Sequence, residues 1–134
     1  GDARSADQPW RVAVEKPWTG ARTVERVFAV SGVAMATSGD YRNYFEVNGK
    51  RYSHTIDPRT GRPIDHALAS ATVIAPTCAE ADAWATAMMV LGPDQALAIA
   101  RANHLAVYLL VKAGDGFEAR SSAAFDMYLK PVLQ

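Results

Sequence analysis

Asp82 and Thr86 lie four residues apart in a segment rich in Ala, Met and Leu, which predicts a helix. Residues four apart share one helix face, about one turn from each other. A carboxylate and a hydroxyl on one face suit a hard cation such as Mg²⁺, which takes oxygen ligands and often also binds substrate phosphates. A structural interpretation stays open and is favoured by the spacing alone. A helical Thr often bonds back to a carbonyl, and an early Asp favours the helix dipole.

His54 stands just before a rigid loop that contains two prolines and a glycine, residues 57–63. Histidine changes charge near neutral pH, so it could act as a base or orient a phosphate. A loop histidine satisfied by backbone partners explains the same pattern equally well. His66 and His104 have no partner at metal-ligand spacing, and we expect both at the surface or at a helix end.

Ser38 and Gly39 follow an apolar stretch, residues 33–37. Such small residues allow backbone N–H groups to approach a ligand closely. An ordinary strand-to-loop turn is the simpler explanation of the same pair. Cys78 is the only cysteine, and neither a Cys/His/Asn nor a Gly-x-Ser-x-Gly context in the sequence indicates a nucleophile.

The elements that must position these residues follow from hydrophobic periodicity and turn residues. Asn48-Gly49 between two alternating runs predicts a β-hairpin, and Thr77 with Glu80 forms a capping-box pattern. The helix pair lies between runs of strands, which predicts an α+β domain with an antiparallel or mixed sheet and the helix pair packed on one face. The predicted strands are 11–14, 23–30, 33–37, 44–47, 51–54, 71–75, 106–112 and 117–120, the helices are 78–91, 93–102 and 122–129, and a turn covers 17–20.

Composition limits the partners. The 134 residues suggest one domain or part of one, and 49% are apolar, so a core can be buried. The 14 basic residues equal the 14 acidic ones, so the chain has no net charge that would predict nucleic-acid binding. The single cysteine excludes an intrachain disulfide.

Taken together, four segments resemble the C-terminal region of the ApbE flavin transferases. Their order and spacing match, and the resemblance covers nearly the whole chain. Each segment alone would be weak, but a His-x-x-Asp-Pro-x-Thr-Gly-x-Pro loop followed by Ala-Asp-x-x-x-Thr is a specific combination. The segments are Thr37-Ser38-Gly39-Asp40-Tyr41, 53–63, Glu80-Ala81-Asp82-Ala83-Trp84-Ala85-Thr86 and Val90-Leu91-Gly92.

The resemblance implies an ApbE-like, T-fold-related domain and a reaction. Members of the family move FMN from FAD onto a Ser or Thr hydroxyl of an acceptor flavoprotein, release AMP, and need a divalent cation, usually Mg²⁺. Asp82 and Thr86 would be Mg²⁺ ligands, and His54 would lie near the phosphates as a base or an orienting group. Ile56 would contact FAD through its backbone. Ser38 and Gly39 would shape the cofactor pocket.

The sequence departs from the family pattern in two respects. Ala85 occupies a third metal-ligand position, where some members have an Asp, so that ligand would be a backbone carbonyl, a water or nothing. Members are also roughly twice this length or more (domains reach 250 residues). Their N-terminal half supplies much of the FAD pocket and a further metal ligand. We therefore expect this segment alone to be inactive, with exposed apolar surface where the other half docks.

Two other activities stay open at this point. One is an FAD pyrophosphatase, in which water replaces the acceptor hydroxyl. The other is a flavin-binding module without turnover, which the Ala at position 85 slightly favours. By resemblance alone, we expect the protein on the periplasmic side of the inner membrane in a bacterial envelope, held by a lipid anchor.

Overall fold

The computed structural model describes residues 2–3, 5, 8–17, 23–41 and 44–129. Within these ranges the chain forms strands and helices in an α+β arrangement, as the sequence predicts. The elements are β1 Trp10–Glu15, β2 Val24–Val30, β3 Ala34–Gly39, β4 Tyr44–Val47, β5 Lys50–Ser53, β6 Ile56–Asp57, β7 Arg62–Pro63, β8 Leu68–Ala75, α1 Cys78–Leu91, α2 Pro93–Ala102, β9 Ala106–Ala113, β10 Gly116–Ser121 and α3 Ala123–Asp126.

A four-stranded antiparallel sheet in the order β10-β9-β8-β3 organises the fold. All eight residues of β8 are buried, as are the first six of β9, because both strands are covered on both faces. β3 lies at the end of this order and is partly exposed along its length. The sequence predicts a buried third strand that stops before Ser38. Instead β3 is a sheet-end strand that continues through Gly39, because both Ser38 and Gly39 pair with β8.

The helix pair packs on one face of this sheet, as predicted. α1 begins at the predicted capping box, in which the Thr77 hydroxyl accepts from the Glu80 amide at 3.2 Å and the Glu80 carboxylate accepts from the Thr77 amide at 3.2 Å. It ends at Gly92, whose φ of 81° favours glycine. α2 follows at once with Pro93 in its first turn. The core between helices and sheet is made by Leu68, Ala71, Val73, Ala85, Met88, Met89, Ala96, Ala100, Val107, Leu109 and Val111.

A second core lies on the opposite face of the sheet, under the β1–β2 hairpin and the short α3. Phe28 of β2 meets Phe125 of α3 edge-on at 4.9 Å and Tyr108 of β9 at 5.6 Å between ring centroids. Edge-to-face pairs add to the stabilisation that burial alone provides. The two cores bury the central strands on both faces, so the sheet is a rigid base for the loops at its ends.

Two small hairpins form the connection between β3 and β8. Asn48 and Gly49 have φ values of 51° and 76°, as a two-residue hairpin turn requires. The predicted loop at residues 57–63 contains a second hairpin, in which Ile56 pairs with Pro63. Of the predicted turn at 17–20, only Pro17 falls within the described residues. No described helix is long and apolar enough to cross a membrane.

Candidate functional site

The fold brings Ser38 and Thr86 together. Ser38 is on the face of β3 that α1 covers, and its hydroxyl lies 3.3 Å from the Thr86 hydroxyl across 48 positions of sequence. Asp82 lies one helical turn before Thr86, and both side chains are exposed on α1. The sequence predicts the Asp82–Thr86 pair, but the approach of Ser38 depends on helix packing against β3.

Ala85 lies between these residues in sequence but faces the other way. Its side chain is fully buried and packs in the core with Ala71, Met88 and Met89. The methyl group offers no ligand atom, so a metal contact at position 85 would come from the main chain. The assignment of Ala85 to a metal site stays a prediction, as do those of Asp82 and Thr86.

The donor atoms at this place fit one class of metal. Among the residues that the structure describes, no three His, Cys, Asp or Glu side chains come together as a metal cluster. One carboxylate beside two hydroxyls does not suit zinc, which takes three or four nitrogen, sulfur or carboxylate ligands. The same set suits Mg²⁺, which keeps several waters and is completed by substrate phosphates. Asp82 and Thr86, with Ser38 beside them, are therefore the side chains that would hold such an ion.

Gly39 has a packing role that the sequence did not reveal. A Cβ atom at this position would lie 2.6 Å from Cε1 of Tyr41 and 3.1 Å from the carbonyl oxygen of Ala69. A side chain at position 39 would therefore require the Tyr41 ring to move away from the strand. The neighbouring Asp40 N–H donates to Ala69 at 3.1 Å. That amide is therefore used inside the protein, and the part of Ser38 and Gly39 in a cofactor pocket stays a prediction.

His54 and Ile56 lie on the connection between β5 and β7 and not on the helix–sheet face. The His54 side chain is exposed. The Ile56 side chain is 47% exposed although its backbone pairs with Pro63. An exposed isoleucine in a paired segment is available for an apolar contact with a ligand or with another part of a protein.

Local hydrogen bonds make the tip of this loop rigid. The Asp57 carboxylate accepts from the Arg59 amide at 2.8 Å and from the Arg59 guanidinium at 2.8 Å. The Asp57 carbonyl accepts from the Gly61 amide at 2.8 Å, and Gly61 has the positive φ of 68° that such a turn needs. Hydrogen bonds from Arg59 hold the pKa of the Asp57 carboxyl below its usual value. The loop therefore carries an ionised, internally paired aspartate near neutral pH.

An ion pair that sequence reasoning missed lies next to the candidate site. Lys112 of β9 donates to Asp40 at 2.9 Å across 72 positions. The second Asp40 carboxylate oxygen is buried and has no hydrogen-bond partner among the described residues. Both side chains line a cavity of about 600 Å³ between the end of β3, the β4–β5 hairpin and the β9–β10 turn. Asp40 and Tyr41 of the family-like segment line this cavity, but no sequence signal linked them to Lys112.

For His66 we expected a place at the surface or at a helix end, and the structure puts its ring at the end of α1. Its ring is half-buried and both ring nitrogens are hydrogen-bonded, Nε2 to the Met89 carbonyl at 2.7 Å and Nδ1 to the Leu68 amide at 3.2 Å. His104, by contrast, lies exposed just after α2 with a φ of 53°. Its predicted place at a helix end is therefore confirmed.

Known proteins of similar sequence and structure point to one family. The model of the ApbE family matches residues 1–109. The chain is 55% identical over 119 residues to the FAD:protein FMN transferase of Haemophilus influenzae and 53% identical over 121 residues to that of Escherichia coli K12. These matches cover 88% and 90% of this chain but 34% of each relative, so the chain spans about a third of the length of the curated relatives it matches.

Solved structures agree with this assignment. The chain is similar to the apo form of the Pseudomonas stutzeri flavinyl transferase ApbE, with a TM-score of 0.79 and 44% identity over 98% of this chain and 41% of that one. It is also similar to an ApbE protein from Thermotoga maritima, with a TM-score of 0.82 and 30% identity over 97% of this chain and 41% of that one. A family match over residues 1–109, together with this agreement in fold, establishes that the chain belongs to the ApbE family.

Proposed function

We propose that this chain is the C-terminal part of a Mg²⁺-dependent transferase that moves FMN from FAD onto a Ser or Thr hydroxyl of an acceptor flavoprotein and releases AMP. Relatives about half identical to it are named FAD:protein FMN transferase. The observation that carries the proposal is the approach of the Ser38 and Thr86 hydroxyls at 3.3 Å beside the exposed Asp82. This group of oxygen atoms is the part of the chain suited to a cation that also binds a pyrophosphate.

The reaction is attack on a phosphorus atom of the FAD pyrophosphate. The acceptor oxygen forms a bond to the FMN phosphorus, the bridging P–O bond to AMP breaks, and the hydroxyl proton passes to a base. A bound Mg²⁺ would neutralise charge on the phosphate oxygens. Asp82 and Thr86 would hold that ion, Ser38 would stay beside it, and His54 would take the proton or orient a phosphate.

The flavin itself would contact the loop and the end of β3. Ile56 would meet FAD through its backbone, and Gly39 would keep the Tyr41 ring close to the strand, so that both shape the cofactor pocket. The side chain of Ile56 is also exposed, so this strand is open to a ligand on that side. Because the described hairpins leave these residues open, further protein would be needed to enclose the flavin.

We also propose that the rest of the pocket comes from the remaining two thirds of a full-length transferase, and that this segment is inactive without it. The chain spans about a third of its relatives. β3 ends the sheet order and carries no charged residue from Ala34 to Gly39. Native proteins protect sheet edges with charges, prolines or bulges, or by covering them, and an end strand without charges favours covering. A protein segment that covers this edge would lie directly beside Ser38.

Intact-mass measurement of an acceptor tests the activity. The full-length protein and this segment alone are each mixed with FAD, Mg²⁺ and a flavoprotein acceptor domain. We expect the full-length protein to increase the acceptor mass by one FMN, the increase to disappear when the metal is chelated, and the segment alone to give none.

Other outcomes would replace the proposal. AMP release without modification of the acceptor would make the protein an FAD pyrophosphatase. FAD binding with neither product would make it a flavin-binding module. Transfer by the segment alone would remove the requirement for the other two thirds.

A location in the bacterial envelope, lipid-anchored on the periplasmic side of the inner membrane, completes the proposal on family resemblance alone. Fractionation of cells that express the full-length protein, followed by protease treatment of spheroplasts, tests it. Recovery of the protein in the cytosolic fraction would contradict it.

A further inference from the structure

The end of α1 has a carbonyl group that its own helix does not satisfy. The last four carbonyls of a helix lack helical N–H partners unless the chain continues. Gly92 N–H still reaches the Met88 carbonyl at 3.1 Å. The next carbonyl, of Met89, would require an N–H from residue 93, which is a proline and has none.

His66 supplies the missing donor. Its Nε2 lies 2.7 Å from the Met89 carbonyl oxygen. Its Nδ1 lies 3.2 Å from the Leu68 amide, which can only donate. Nδ1 must therefore accept and Nε2 must carry the proton, so the two contacts together select one neutral tautomer.

Gly92 provides the space for this ring. A Cβ atom at position 92 would lie 3.1 Å from Cδ2 of His66 and 3.3 Å from its Cγ. The φ of 81° at Gly92 also disfavours any side chain there. His66, Gly92 and Pro93 thus act together. Pro93 leaves the Met89 carbonyl without a helical donor, and Gly92 leaves space beside it. The His66 ring fills that space and donates to the carbonyl.

The contact joins the two parts of the candidate site. Met89 lies one turn beyond Thr86 on α1, whereas His66 ends the connection that carries His54 and Ile56. The base of that connection is fixed to the sheet, because Lys112 N–H donates to the Ala67 carbonyl at 2.8 Å. His66 is therefore a link between the loop and the helix.

We propose that His66 is a positioning residue, which sets the loop that carries His54 and Ile56 against the helix that carries Asp82 and Thr86. Both of its ring nitrogens bond within the protein, so its proposed effect acts through the loop and the helix. The effect on catalysis rests on the proposed function, but the effect on the geometry of the loop does not. A shift of about 1 Å between reacting groups can cost about a hundredfold in rate.

The test compares His66→Ala with His66→Gln in the full-length protein, with His104→Asn as the matched control at an exposed histidine. The glutamine amide keeps a donor at about the distance of Nε2. We expect His66→Ala to lower kcat for FMN transfer by about ten- to a hundredfold, with a much smaller change in the KM for FAD. His66→Gln should recover most of the loss, and His104→Asn should behave as the wild type.

Amide hydrogen exchange provides a readout without turnover. In His66→Ala, we expect exchange in residues 54–64 to accelerate about tenfold while β8 and β9 keep their protection, since only a local opening becomes easier. Nitrogen NMR of the wild-type imidazole should show the proton on Nε2. If His66→Ala does not fold, His66→Asn, which is too short to reach Met89, replaces it.

Different results overturn different claims. An unchanged kcat in His66→Ala, with an active wild type, would refute the positioning role. So would equal acceleration of exchange in the loop, β8 and β9 without rescue by glutamine, because that is the pattern of general destabilisation. If the wild type transfers no FMN, the proposed function fails, and the exchange and NMR data still decide whether His66 holds the loop.

Discussion

Two regions of this chain carry the candidate site, and they are built differently. The helix–sheet region, formed by β8, β9 and α1, holds Asp82 and Thr86 on a base whose central strands are buried. The loop region, residues 44–66, holds His54 and Ile56. Its β4 is exposed at all four positions. The loop region is ordered by turns and by hydrogen bonds between residues close in sequence, such as Asp57 and Arg59.

The helix–sheet region is therefore the more firmly held of the two. The backbone of a well-packed helix is held by the whole core, so the proposed ligands Asp82 and Thr86 would need little backbone rearrangement. A hairpin with few buried contacts opens at a lower free energy than the core does. We therefore expect substitutions in the helix–sheet region to remove activity without changing the loop. Those in the loop should mainly alter turnover and local order.

The largest effect is expected from Asp82→Ala. Loss of the carboxylate beside the Ser38 and Thr86 hydroxyls should lower Mg²⁺-dependent FAD cleavage by about a thousandfold or more. The side chain is exposed, so the free energy of unfolding should change by less than about 0.5 kcal/mol. AMP release and thermal unfolding of the full-length protein measure both. Asp94→Ala, at another exposed helical carboxylate, is the control, and full activity of Asp82→Ala would remove the metal assignment.

The second-largest effect on turnover is expected from His54→Ala, which tests the loop region. If His54 assists proton transfer, turnover should fall by about a hundredfold or more, while the dissociation constant for FAD changes little. Kinetics and calorimetry separate the two quantities. His104→Asn controls for loss of an exposed histidine, and equal losses in turnover and FAD binding would make His54 a binding residue.

Ala85→Asp tests whether the proposed metal site extends to position 85 in the core. The family pattern predicts tighter Mg²⁺ binding, but here the side chain would enter a fully buried position. We expect the free energy of unfolding without Mg²⁺ to fall by about 2 kcal/mol or more, because a buried carboxyl without partners is costly. Saturating Mg²⁺ should recover part of this loss.

Ala85→Asn is the uncharged control of nearly equal size for that substitution. Thermal melts of both variants across a Mg²⁺ titration provide the measurement. A titration of Ala85→Asp that matches that of Ala85→Asn would show that the metal does not reach position 85.

The smallest effect concerns acid sensitivity of the loop tip. The pKa of Asp57 is held below its ordinary 3.8 by hydrogen bonds from Arg59. A depressed folded pKa gives stability that is present above the unfolded value and lost as pH falls through the folded one. Loop order should therefore persist down to about pH 3.8 and decline below it.

Arg59→Met removes the guanidinium and keeps much of the side-chain length. In this variant the Asp57 carboxyl titration, followed by carbon NMR, should move to higher pH. Arg62→Met, on the same hairpin, controls for loss of a nearby positive charge. An Asp57 midpoint that is unchanged in Arg59→Met would mean that Arg59 does not hold the carboxylate ionised.

The sequence was sufficient to predict the ends of the first helix and the turn of one hairpin. The capping box at Thr77 and Glu80, the Asn48-Gly49 turn and the stop at Gly92 were predictable, because each depends on residues close together in the chain. The same holds for Asp82 and Thr86, whose common helix face follows from a spacing of four. Motif order was sufficient to suggest the ApbE family.

Contacts between distant residues were not predictable in this way. Ser38 reaches Thr86, Lys112 reaches Asp40 and His66 reaches Met89 across 48, 72 and 23 positions, and no local pattern encodes these contacts. Packing also decided that Ala85 faces the core and that β3 continues through Gly39 at the end of the sheet. Such contacts depend on how whole elements pack against one another, whereas sequence patterns report the geometry within one element.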